Sequence, residues 1–270
     1  DEVTWEQYRA KLEEHLQGLH RRLHHGAYRA KPSRRVYIPK DDGRPRPLGI
    51  AALEDKIVQR AVSELLNAIY EVDFLGFSYG FRPGRGQHDA LDALVTGLGR
   101  KKVSFVLDAD IRGFFDNLDH ELLMRALGRH TECDWVLLYV QRWLRAPAEH
   151  PDGTLVARNK GTPQGGVISP LLSNIFLHYA LDEWLRRNYP DTCFERYADD
   201  VLVHCRTEDE AQEMLSAIGQ RLSECRLELH PQKSKIVYCK DGQRRGSWPH
   251  RSFDFLGYSF RPRKTKNRWG

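Results

Sequence analysis

Three acids in two separated stretches are the residues best suited to do chemistry: Asp110 upstream, and Asp199 with Asp200 downstream. The downstream pair lies in Tyr197-Ala198-Asp199-Asp200, between the apolar stretches Cys193–Tyr197 and Val201–Cys205. Both stretches have a strand's length, so the two acids fall at a predicted hairpin turn. Adjacent like charges there are costly unless a cation neutralises them, and oxygen donors of this kind suit a hard divalent ion. Asp-Asp is also a common turn pair, and alone it reads equally well as solvated surface. The third acid shifts the balance. Residues 103–109 read as a strand ending at Asp110, with Val106, Asp108 and Asp110 on one face and Val103, Phe105 and Leu107 on the other. A carboxylate at a strand end can meet a carboxylate pair on a neighbouring hairpin, and two Mg²⁺ ions about 3.5–4 Å apart can be clamped between them. That arrangement suits in-line displacement at phosphorus, one ion activating a hydroxyl and the other stabilising a leaving pyrophosphate.

Such acids need a scaffold, and the chain is long enough to supply one. Its 270 residues are two average domains' worth or one large fold with subregions. The net charge of +5 says little, but its distribution says more. Arg29, Lys31, Arg34, Arg35, Lys40, Arg44 and Arg46 cluster upstream, and Arg261, Arg263, Lys264, Lys266 and Arg268 cluster at the end. Clusters like these are either a footprint for a polyanion or a solubilising surface. Cysteines at 133, 193, 205, 225 and 239 form no Cys-x-x-Cys and are odd in number, which fits a reducing compartment such as a cytoplasm. His20 and His24 share a helix face without a carboxylate or cysteine at metal spacing, and read as a basic helix end. No apolar stretch approaches a membrane span, so no membrane partner is expected. The chain begins at Asp1 without Met, which reads as an excised segment.

The elements that would position the acids follow from periodicity. Trp5, Tyr8, Leu12, Leu16, Leu19 and Leu23 repeat at helical spacing behind a Thr4/Gln7 capping box, and Gly26 ends the run. Val36–Ile50 is extended, turning at Asp42-Gly43. Leu53–Ile69 is amphipathic through Ile57, Val58, Ala61, Leu65 and Ile69. A Gly- and aromatic-rich loop, Phe74–Gly86, leads into a helix over Gln87–Leu98. Helices are predicted near His120–Leu127, Asp134–Leu144, Leu171–Arg187 behind Ser169-Pro170, and from Thr207 to Cys225. Asp152-Gly153 marks a hairpin, and strands are predicted at Leu227–Leu229, Lys235–Cys239 and Phe253–Phe260. Without a regular βαβ alternation, the expected class is α+β, an antiparallel sheet backed by helices on one face with the other face free for acids and nucleic acid.

At this point the motifs converge. The chain resembles the reverse transcriptases of bacterial group II introns along nearly its whole length. The matching blocks, in order, are Arg35–Lys40 with Gly43–Ile50, Phe77–Arg85, Asp108–Asp116, Gly161–Pro170, Tyr197–Asp200, Leu227–Lys235 and Phe255–Phe260. The resemblance implies a right-hand polymerase fold and template-directed DNA synthesis on RNA. It implies fingers over residues 1–86, a first palm part over 87–118, a fingers insertion over 119–164 and a second palm part over 165–270. The chain would then be a fingers–palm fragment or a minimal relative, with the thumb or maturase and endonuclease regions missing.

By the same resemblance, Asp110, Asp199 and Asp200 are the metal carboxylates, the carbonyl of Ile111 is an additional ligand, and Asp108, facing the same way, supports those ligands from behind or is structural. The cofactor implied is a pair of Mg²⁺ ions, with Mn²⁺ able to stand in. Phe115 would pack under the incoming sugar and exclude a 2′-hydroxyl, whereas Phe114 is core. Lys40 and Arg46 match triphosphate-binding cations, Gln164 a residue that touches the incoming nucleotide, and Lys233 a lysine that protonates pyrophosphate, with Lys235 its rival. Arg34, Arg35, Arg44 and Arg85 read as nucleic-acid contacts or solvated charge, Arg82 as a brace for the template or the fingers, and Tyr258 as part of a primer grip. The implied partners are an RNA template, a DNA primer, deoxynucleoside triphosphates and, for longer members, intron RNA. The alternatives are a domesticated, CRISPR-linked or defence-associated relative, and a non-catalytic RNA-binding scaffold.

Overall fold

Helical and strand periods alternate irregularly along the chain, and the elements follow them. The structure is a computed structural model describing residues 3–39, 43, 45–100, 103–240 and 246–263. The first half carries α1 (Trp5–Arg9), α2 (Leu12–His24), β1 (Ser33–Pro39), β2 (Pro45–Ile50), α3 (Leu53–Tyr70), α4 (Gln87–Arg100), β3 (Phe105–Asp110) and α5 (Phe114–Asn117). Next come α6 (His120–Leu127), α7 (Asp134–Arg145), β4 (Ala148–Glu149), β5 (Leu155–Val156), α8 (Ser169–Leu177), a π-helical turn (His178–Asp182) and α9 (Glu183–Asn188). Then follow β6 (Phe194–Tyr197), β7 (Asp200–Cys205), α10 (Glu208–Glu224), β8 (Lys235–Tyr238), β9 (Phe253–Phe255) and β10 (Tyr258–Phe260). Two compact units result, Asp1–Asp73 with Gly113–Phe176, and Phe74–Arg112 with Leu177–Gly270. No described helix is long and apolar enough to cross a membrane.

In the first unit the sheet order is β2-β1-β4-β5. The β1–β2 hairpin sets Arg35 opposite Gly49 and Ile38 opposite Arg46. The Thr4/Gln7 capping box forms as expected. The single helix implied by the Trp5–Leu23 spacing is broken, because Lys11 leaves helical geometry (φ −132°, ψ 44°). The ring Nδ1 of His15 lies 3.0 Å from the Tyr8 carbonyl at that break. The buried face of α3 also differs from expectation. It runs through Asp55, Val58, Gln59, Val62, Ser63, Leu66 and Tyr70, while Leu65 and Ile69 are exposed. Polar groups move inward because they find partners: the Asp55 carboxylate accepts from the Lys31 amide, and Gln59 Oε1 accepts from the Val167 amide.

The second unit holds a four-stranded antiparallel sheet in the order β6-β7-β3-β8. One face buries Val106, Leu202 and Val237 against Ala90 and Leu94 of α4 and against Phe253 and Phe255. Arg196 projects from the other face and reaches Asp182 of the π turn. Arg221 of α10 donates to the Ala180 carbonyl in that same turn. Helices therefore lie against both faces, α4 on one and α10 on the other, where one free face was expected. The strand expected over Phe253–Phe260 is a hairpin, since Leu256 (φ 51°) and Gly257 (φ 83°) both turn left-handed between β9 and β10. Among the described residues, Leu227–Leu229 pairs through an isolated bridge from Leu229 to Ile111. The helix expected over Leu171–Arg187 carries the π turn in its middle.

Candidate active site

β3 and β7 run antiparallel, and their ladder ends with Asp110 paired to Asp200. Directly opposed residues stand with Cβ atoms roughly 4.5–5.5 Å apart, so register alone brings two of the predicted carboxylates side by side. Asp199 is the adjoining turn residue, because β6 and β7 close through only Ala198 and Asp199, with Tyr197 paired to Asp200. Asp110 is anchored from β8's side. Its carbonyl accepts from the His230 amide at 2.7 Å and from Ser234 Oγ at 3.2 Å, and Lys233 Nζ donates to its carboxylate at 3.2 Å. The Arg112 amide donates to the Glu228 carbonyl at 2.8 Å. These backbone bonds flank the Ile111–Leu229 bridge, so the Ile111 carbonyl points away from residues 227–230, toward the β7 side.

Charge is crowded here. Asp200 is pushed up to about 7, by dehydration among surrounding protein atoms first and then by the charges of Asp199, Asp110 and Asp108, with Lys233 opposing. Asp200 keeps an exposed edge, so repulsion among the acids is the sturdier cause. Asp108 is pushed up to about 6 by burial, against the pull of Lys235, whose Nζ is 3.6 Å away. Among the described residues, no three carboxylate, imidazole or thiol groups close into a ready-made ligand set. The donor chemistry nonetheless fits a hard divalent cation, with oxygen ligands at two strand ends; the Lys233 ammonium against Asp110 is a counter-charge and not a ligand.

The first unit joins three other predicted residues by itself. Arg46 Nε donates to Gln164 Oε1 at 3.1 Å, and the Gly49 amide donates to the Gln164 carbonyl at 2.7 Å. A Cβ on Gly49 would sit 2.9 Å from Pro163 Cβ, so glycine lets β2 and this loop approach. The Thr162 amide donates to the Phe115 carbonyl at 2.7 Å. Phe114 is 1% exposed and packs on Phe176, while Phe115 stays half-buried. Arg34 is exposed and Arg35 half-buried. Lys40 and Arg44 lie outside the described residues.

Arg82, read as a brace for template or fingers, is buried, with Nη1 donating to the carbonyls of Leu75 (2.6 Å) and Ser78 (2.7 Å). It ties down its own loop. Arg85 is half-buried, bonds the Gly76 carbonyl at 2.8 Å and lies over the Tyr79 ring. Tyr258 is exposed. The sequence reading missed Arg196, Asp182 and Ser78, which join beneath the Tyr197–Asp200 turn. The available signal was three ionisable residues, Glu195, Arg196 and His204, inside strands that otherwise read as buried.

Comparison with known proteins bears on all of this. Residues 38–260 match the family described as reverse transcriptase (RNA-dependent DNA polymerase). The chain is 34% identical, over its full length and 77% of the relative, to Protein YkfC of Escherichia coli K12. It is 36% identical over 167 residues to the group II intron-encoded protein LtrA of Lactococcus lactis, a match covering 62% of this chain and 27% of LtrA. Apo telomerase from Candida tropicalis, truncated from its C-terminal domain, superposes with a TM-score of 0.63 at 14% identity, over 86% of this chain and 53% of that one. A Candida albicans telomerase solved with a telomeric RNA fragment gives 0.57 at 16% identity, over 94% of this chain and 48% of that one. The telomerase likeness establishes a right-hand polymerase fold and nothing beyond the fold. The chain spans about half the length of these telomerases and about a quarter of LtrA.

Proposed function

The chain belongs to the reverse transcriptase family, and from that membership we propose that it is an RNA-directed DNA polymerase of the group II intron type. It adds deoxynucleotides to a primer 3′-hydroxyl on an RNA template. The observation that carries the proposal is the pairing of Asp110 with Asp200 at the ladder's end, with Asp199 in the adjoining turn.

Asp110, Asp199 and Asp200, with the Ile111 carbonyl, would hold two Mg²⁺ ions, which supply Lewis-acid activation of the hydroxyl and charge neutralisation at pyrophosphate. The chain's own residues do the rest. Lys233 holds a proton at Nζ beside Asp110 and is the donor assigned to pyrophosphate. Arg46 and Gln164, already bonded to each other, bind the incoming triphosphate and its base; Lys40 joins them by resemblance. Phe115 walls off the 2′ position of the sugar. Arg34, Arg35, Arg44, Arg85 and Tyr258 contact nucleic acid mostly through its backbone, since an A-form duplex offers shape more than sequence. Binding should therefore weaken steeply with salt.

The test is extension of a DNA primer on an RNA template with Mg²⁺ and deoxynucleotides. A DNA product that lengthens with time supports the proposal. RNA binding with no product under any divalent metal would make the chain an RNA-binding scaffold instead.

A further inference from the structure

Deep in the second unit a charged side chain is sealed from water. Arg196 is 0% exposed, and so is its partner Asp182. The pair is bidentate: Nε donates to Asp182 Oδ1 at 2.7 Å, and Nη2 donates to Oδ2 at 2.6 Å. A buried ion pair is a poor device for stability alone, because dehydration of both charges offsets their attraction. Its other contacts suggest what it is for. Nη1 donates to the Ala198 carbonyl at 2.9 Å, and Nη2 to Ser78 Oγ at 2.8 Å. Ala198 is the first residue of the two-residue turn that carries Asp199, and its φ of 56° lies in the left-handed region. Alanine holds that geometry only when its surroundings dictate it.

Three features converge to dictate it. The π-helical turn His178–Asp182 ends on Asp182 and gives this acid its place within the longer helix; such turns cluster at functional sites. The loop 77–80 bonds alongside Arg196: the Tyr79 amide donates to the Arg196 carbonyl at 2.9 Å, and the Arg196 amide to the Phe77 carbonyl at 2.8 Å. Gly80 then passes so near the turn that a Cβ there would lie 2.5 Å from the Ala198 nitrogen.

We propose that Arg196, oriented by Asp182 and Ser78, is a positioning residue that holds the left-handed Ala198 turn and thereby aims Asp199 and Asp200 at their shared cation. The proposal rests on the metal-site reading given above. Neither Arg196 nor Asp182 touches substrate; both act through the turn. Outer partners of this kind cost about 10- to 100-fold in metal affinity when removed.

The test compares Mn²⁺ binding, followed by electron paramagnetic resonance, in the wild type and in Ser78→Ala, Gly80→Ala and Asp182→Asn. Met214→Ala, a cavity variant at a buried α10 position that makes none of the turn's contacts named above, controls for lost stability. Ser78→Ala removes one bond and Gly80→Ala presses on the turn, so these two report even if Asp182→Asn does not fold. The expected result is at least about tenfold weaker Mn²⁺ binding in Ser78→Ala and Gly80→Ala, faster amide exchange over residues 197–200, and unchanged affinity in Met214→Ala. Wild-type affinity in both turn variants would overturn the proposal, as would an equal loss in Met214→Ala. Primer extension is scored separately: a wild type that binds Mn²⁺ through this turn without copying RNA removes the polymerase reading and leaves the positioning role standing. A wild type that binds no Mn²⁺ removes both.

Discussion

Asp110 and Asp200 are the last paired residues of the β3–β7 ladder, two carboxylates facing each other at a strand end. Asp200 is held up to about 7 and Asp108 to about 6, against an ordinary carboxylate near 3.8. Without metal, the folded chain thus keeps protons that the unfolded chain has released between about pH 4 and 7. Both groups favour folding at low pH, and that contribution is lost as pH rises through their folded values. Metal-free thermal melts should show stability falling from pH 5 to pH 8 through these groups. Mg²⁺ should recover more of it at pH 8 than at pH 5. Asp200→Asn should flatten the metal-free pH dependence; a variant with the wild-type slope would contradict the crowding.

Phe115 is half-buried while its neighbour Phe114 is core. Phe115→Ala should raise ribonucleotide incorporation relative to deoxynucleotide by on the order of 10- to 100-fold, the range a steric pocket supplies, with little loss of stability. Competing-nucleotide assays measure the ratio, and unchanged sugar selectivity would remove the role.

Arg46 and Gln164 are bonded across 118 positions of sequence. Arg46→Ala and Gln164→Ala should each raise the KM for deoxynucleotide, and the double variant should fall short of their sum by a coupling of roughly 0.5–3 kcal/mol. Strict additivity would mean that the pair does not act on one ligand.

Gly161 sits at φ 78°, and a Cβ there would lie 2.7 Å from the Asp116 carbonyl oxygen. Gly161→Ala should destabilise by at least about 2 kcal/mol, since strain and clash add. Denaturant unfolding measures it, and a near-neutral change would mean that the loop yields.

What the sequence made legible divides along physical lines. Local rules worked where one segment decides its own geometry: the Thr4/Gln7 cap, α6 at His120–Leu127, and the turn at Asp199. They failed where a distant partner decides. Leu65 looked inward by helical spacing, yet Gln59 lies inside because the Val167 amide awaits it 108 positions later. Arg82 read as a brace for the template or the fingers, but its partners, the Leu75 and Ser78 carbonyls of its own loop, are set by the fold and not by local spacing. Arg196 was signalled by its charge inside a strand, but its partner Asp182 was not, because no periodicity announces a π turn. Of the candidate site, Asp110, Asp199 and Asp200 were readable as chemistry from residue type and strand alternation, whereas the Lys233–Asp110 contact needed the fold.

Whether Asp110, Asp199 and Asp200 serve a metal-dependent polymerase is decided by single-turnover extension of a DNA primer on an RNA template. Wild type and Asp199→Ala are compared at matched RNA occupancy. The wild type should yield DNA product, and Asp199→Ala should lose at least about a thousandfold, a scale typical of removing charge stabilisation at a reacting centre, with RNA affinity within about twofold. Equal extension by the two proteins would contradict that role.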